Sequence, residues 1–120
     1  MGLDNFAQRA SGEELTDEDI AAFVAEGPNL CEGLAAGDPG GFRGKVYFNL
    51  VHEITGESLY DDFIPPDRVK AMYEALRDCN PDDVTGRGDY RFGELESQID
   101  NLRKFFKVCA ERNLGIGSSW

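Results

Sequence analysis

Apolar residues recur at three- and four-residue intervals along residues 94–112, where Leu95, Ile99, Leu102, Phe106 and Cys109 make one stripe and Phe105 and Val108 widen it. That spacing is the period of an amphipathic helix. Glu94, Glu96 and Asp100 fall early in it and Arg103, Lys104, Lys107 and Arg112 late, which complements the helix dipole. Asp100 and Lys104 also stand four apart, in the order that favours an ion pair. Asn113 or Gly115 can take the left-handed conformation that closes such a helix.

Pro65-Pro66-Asp67 opens a second helix, because proline suits a first turn. Val69, Met72, Tyr73 and Leu76 share its inner face, and Asn80-Pro81 ends it. Thr16, followed by Asp17, Glu18 and Asp19, predicts an N-cap. The short helix after it carries Ile20, Phe23 and Val24 on one side and stops at Gly27-Pro28. Residues 45–56, KVYFNLVHEITG, fit two patterns. Val46, Tyr47, Leu50, Val51 and Ile54 share a helical face, whereas VYFNLV also has strand propensity. The apolar spacing continues to Gly56, so helix is the expectation.

These elements predict a mainly α single domain over residues 1–120, with about four helices and Gly/Pro-rich connections. The alternative is an α+β fold with a short hairpin around residues 42–51. Residues 28–44 read as a long connection, and residues 1–12 and 115–120 as loose ends unless the Trp120 ring folds back.

Composition narrows the function classes. The hydrophobic fraction of 41% suits a globular chain, and 23 acids against 12 lysines and arginines give a net charge of −11. Phosphate backbones and anionic membrane surfaces would be repelled, so neither nucleic acid nor membrane is an expected partner. A basic protein or a divalent cation would be attracted. Solubility or a halophilic setting would produce the same bias. The three cysteines, Cys31, Cys79 and Cys109, form no Cys-x-x-Cys pair, and no leader-like or membrane-length apolar run is present. Reduced thiols and a cytoplasmic location are expected.

Asp78 to Asp89 is the nearest approach to a motif. Asp78, Asn80, Asp82 and Asp89 hold the first, third, fifth and twelfth positions of a loop that resembles an EF-hand, which would imply calcium. The stretch departs from that pattern at Asp83, where glycine makes the turn, at Pro81, at Thr85, and at Asp89, which is shorter than the bidentate glutamate. Its other reading is a polar connection between helices. Arg87-Gly88-Asp89 reads as a coincidence of turn residues.

Other chemical signatures are incomplete. Gly40-Gly41-Phe42-Arg43-Gly44-Lys45 lacks the first glycine and the hydroxyl residue of a phosphate loop. His52-Glu53 has Gly56 where a zinc peptidase places its second histidine. Cys109 lies on an apolar stripe, and Cys79 sits beside acids, the reverse of the electropositive setting a nucleophilic thiol needs.

More informative is Phe48, which the helical wheel places outside the apolar face next to His52. Acids and aromatics also interleave in SLYDDF, where Tyr60, Asp61, Asp62 and Phe63 follow Glu57. Phe48, His52, Tyr60, Asp61, Asp62 and Phe63 are therefore the candidate interaction residues. The expected function is a non-enzymatic acidic interaction domain, an adaptor or immunity-type inhibitor, that binds a basic protein without a cofactor. A small ligand-binding protein or enzyme using His52, Glu53 and nearby acids is the alternative, and calcium binding at residues 78–89 is a third reading.

Overall fold

The computed structural model describes residues 3–30, 40–84 and 94–119. Eight main elements follow one another: β1 (Asp4–Arg9), α1 (Asp17–Glu26), β2 (Gly41–Phe42), α2 (Gly44–Thr55), β3 (Phe63–Ile64), α3 (Pro66–Asp78), α4 (Leu95–Glu111) and β4 (Leu114–Ser119). One 3-10 turn, Pro81–Asp83, follows α3. The fold is α+β rather than mainly α. The expected helices are present, with 44–55 helical; the class is that of the α+β alternative, although its short hairpin around 42–51 is absent. Only Phe42 of that stretch is in a strand, and β2 pairs with β1.

The larger correction concerns the two ends. Residues 4–9 and 114–119, which overlap the stretches 1–12 and 115–120 read as loose ends, are the central strands of a four-stranded antiparallel sheet ordered β2-β1-β4-β3. Six residue pairs join them, from Asp4↔Ser119 to Arg9↔Leu114. Alternation then sorts the side chains. Asn5, Ala7, Phe42, Ile64, Leu114 and Ile116 are buried toward the helices, and Phe6, Gln8 and Phe63 stand half-buried on the other face.

Glycine occupies the second face of β4 because neighbouring groups fill the space above it. A Cβ on Gly115 would lie 2.6 Å from Ile64 O, and one on Gly117 would lie 2.6 Å from the Phe6 ring. LGIGSS therefore has weak strand propensity for a packing reason.

The helices supply most of the core. Phe105 of α4 touches Phe23 of α1 and Phe42 of β2, both at 4.9 Å between ring centroids, and Phe42 meets Tyr47 of α2 edge-on at 5.8 Å. Aromatic contacts thus tie three helices to the sheet. Val69, Met72 and Leu76 of α3 and Ile99, Leu102 and Phe106 of α4 complete the interior.

Helix ends follow local chemistry. The Thr16 hydroxyl accepts from the Asp19 N–H at 3.2 Å and the Asp19 carboxylate accepts from the Thr16 N–H at 3.0 Å, a reciprocal capping box. Gly27 and Gly56 close α1 and α2 in the left-handed conformation, and Asn113 (φ 57°) stands just beyond α4.

The inner face of α1 differs from the expected stripe. Asp19 and Phe23 are buried, whereas Ile20 and Val24 are exposed. Asp19 is turned inward by two guanidiniums, with Arg9 Nη1 at 3.2 Å and Arg112 Nε at 2.5 Å from its oxygens. Burial opposes its charge, but the Thr16 N–H, Arg112, the Thr16 hydroxyl and Arg9 outweigh that penalty and lower its pKa to about 2. The last residue of β1 and the residue that caps α4 thus converge on α1 through this carboxylate.

Candidate interaction surface

α2 presents Phe48 and His52 one turn apart, beside the buried Tyr47, Leu50 and Val51, with Phe48 itself packed in part against the core. Their rings stack at 6.2 Å between centroids. The turn after α2 brings Tyr60 edge-on to Phe48 at 5.0 Å. Phe48 is half-buried, while His52 and Tyr60 are exposed, so the three rings form one continuous surface.

The turn is held from below. Leu59 is fully buried, and its carbonyl accepts from Asn5 Nδ2 at 2.9 Å. Ser118 Oγ donates to the Asp61 carbonyl at 2.7 Å. The Ser58 hydroxyl accepts from the Tyr60 N–H at 3.1 Å, and the Ser58 carbonyl from the Asp61 N–H at 3.2 Å. With Leu59 committed to the core, Tyr60 projects outward onto Phe48. The alternation in SLYDDF is thus a division between anchor and surface.

Asp61 and Asp62 follow Tyr60 directly, the first half-buried and the second exposed. Arg68 of α3 bridges Glu57 and Asp61, the latter at 3.3 Å. Glu57 above all, with Asp61 adding less, raises the Arg68 pKa against the opposing effect of desolvation. Glu57, Asp61 and Asp62 are three acids against one guanidinium, so the border stays negative. Helix position alone did not single out Arg68, because its partners lie seven and eleven residues earlier.

Phe63 belongs elsewhere. It lies in β3 on the outward sheet face, its ring over Gly115, so of the six candidate residues it is set apart from the Phe48–His52–Tyr60 contact.

In the Asp78 stretch, the Asp78 carboxylate receives Arg77 Nε at 2.9 Å, which lowers its pKa. Asn80 Oδ1 accepts from the Asp82 N–H at 3.1 Å and caps the 3-10 turn, leaving Asp82 and Asp83 exposed. Asp89, the Arg87-Gly88-Asp89 tripeptide, Cys31 and Trp120 lie outside the described residues. Among the described residues, no group of three or more His, Cys, Asp and Glu could hold a metal ion. No described helix is long and apolar enough to cross a membrane. Cys109 is buried, which pushes its thiol pKa far up.

Two clefts went unseen in the sequence. One of about 370 Å³ lies along β1, between Phe6, Leu15, Ile20 and the acids Glu13 and Glu14. The other, of about 250 Å³, lies between α1, α3 and α4. His52 lines neither. No family model, curated protein or solved structure matches this chain.

Proposed function

We propose that this chain is a non-enzymatic binding domain whose working surface is the Phe48–His52–Tyr60 cluster with its acidic border, and that it takes a basic protein partner. The contact of Tyr60 with Phe48 carries the reading. It joins two stretches that the sequence offers separately into one aromatic surface beside Asp61 and Asp62. Aromatic rings on an anchored turn lose little freedom on binding and cover much area. A lysine or arginine of the partner can lie against the Tyr60 or Phe48 ring face while the acids steer its approach.

The exposure of His52 favours this reading over acid–base chemistry, which works within a pocket. A net charge of −11 adds long-range attraction for a basic surface.

Capture on the immobilised protein, followed by substitution, tests the proposal. A partner held by the native surface should bind about ten-fold more weakly to Phe48→Ala or Tyr60→Ala. Asp61→Lys with Asp62→Lys should slow association, and added salt should do the same. A partner indifferent to all these changes would overturn the assignment.

A further inference from the structure

The chain carries almost twice as many acids as lysines and arginines, yet four of its 12 cations line a single cleft. Arg77 comes from α3, and Arg103, Lys104 and Lys107 from consecutive turns of α4. Glu26 at the end of α1 and Asp100 are the two acids in the lining, and Asp78 and Glu111 reach Arg77 and Lys107 from just outside it, so the cleft is close to neutral in a molecule of −11. A concave site so much less negative than the molecule as a whole is where a small anion meets least repulsion and the most cationic donors.

The four cations are not equally committed. Arg103 is fixed: its Nε donates to the Leu76 carbonyl and one Nη to the Cys79 carbonyl, each at 2.7 Å, closing the end of α3. Its other Nη stands 3.8 Å from Asp100. Arg77 holds Asp78 and lies 6.0 Å from the Tyr73 ring centre, a stacked pose that stiffens the wall. Lys107 is shared loosely between Glu26 at 3.4 Å and Glu111 at 3.9 Å. Lys104 forms no ion pair with a described residue, and the Asp100–Lys104 pair expected from spacing is replaced by Asp100–Arg103.

We propose that this cleft binds a compact polyvalent anion of the phosphate class, a diphosphate or a phosphorylated small molecule. Lys104 would supply an ammonium that no described residue pairs, Lys107 would exchange loose carboxylate contacts for the ligand, and Arg77 and Arg103 would form the charged walls. The volume of about 250 Å³ suits a small ligand rather than a polymer. The site shares no residue with the aromatic surface, so either assignment can fail without the other.

Calorimetric titration with pyrophosphate at fixed ionic strength, with citrate and sulfate in parallel, tests the site. A dissociation constant below about 1 mM is expected for pyrophosphate, with at least a ten-fold preference over sulfate. Lys104→Glu leaves three cations against three acids, disturbs no ion pair among the described residues, and should weaken binding about ten-fold or more. Lys45→Glu, on an exposed residue of α2 outside the cleft, should leave it unchanged. Citrate matching pyrophosphate would overturn the phosphate class. Equal loss in both variants, equal response to all three anions, or no heat with pyrophosphate would overturn the site.

Discussion

The Asn5 side-chain oxygen lies against Gly44, in the space a Cβ at that position would fill. Its amide nitrogen donates to the Leu59 and Gly117 carbonyls at 2.9 and 3.3 Å, so one buried side chain joins β1, β4, the start of α2 and the turn below Tyr60. Among the described residues the oxygen has no hydrogen-bond partner, and the two carbonyls that accept from the nitrogen set which way the amide faces.

Gly44→Ala is therefore expected to destabilise the fold by about 1–3 kcal/mol through overpacking. Asn5→Ala should cost a similar amount, by leaving the Leu59 and Gly117 carbonyls without their shared donor. The double variant should be more stable than the sum of the two losses predicts, because removing the amide makes room for the new methyl. Urea unfolding of all four proteins measures this. Strict additivity would contradict the contact.

Asp19 gives the fold an acid-sensitive point. Its folded pKa of about 2 lies below the ordinary 3.8, so the ionised form favours the folded state. The contribution, about 2 kcal/mol, is fully present above pH ~4 and is lost as pH falls toward ~2. Asp19→Asn should reduce stability at neutral pH by about 2–4 kcal/mol, because Arg9 and Arg112 lose the carboxylate they share. The variant should also show a flatter stability curve between pH 4 and 2, readable by thermal melts across that range.

The thiols should separate by reactivity. Cys109 is fully buried with its thiol pKa pushed up, whereas Cys79 is partly exposed at the end of α3. Alkylation of the folded protein followed by peptide mapping should label Cys79 and leave Cys109 unmodified until denaturant is added. Rapid labelling of Cys109 in the native state would show that the α4 packing opens readily.

The helices were legible because each carries its own period. Leu95 to Cys109 repeats within one segment, and Thr16 and Gly27 mark α1 by local capping chemistry alone. The sheet was not legible, for three reasons. β1 turns Asn5 and Ala7 inward, β4 has glycine where a strand would ordinarily have a branched residue, and β2 and β3 have only two residues each. Its central pairing also joins residues more than 100 positions apart, and no local pattern records such a partner. The same division holds for the interaction surface. Phe48 and His52 were found by helical spacing, whereas their meeting with Tyr60, the Arg68 bridge and the sheet-face position of Phe63 depend on tertiary packing.

Pairing of Asp4 with Ser119 sets the order in which a nascent chain can mature. On a ribosome the four helices can begin to form as they emerge, but β1 must wait for more than 100 further residues before its central neighbour arrives. Closure across so long a span makes the sheet the late, slow step and leaves β1 waiting for that neighbour until all four helices have been made. Because the two strands finish side by side, a short peptide linking residue 119 back to residue 4, with a new opening cut in an exposed turn, would give a permuted chain whose sheet centre is local in sequence and assembles early.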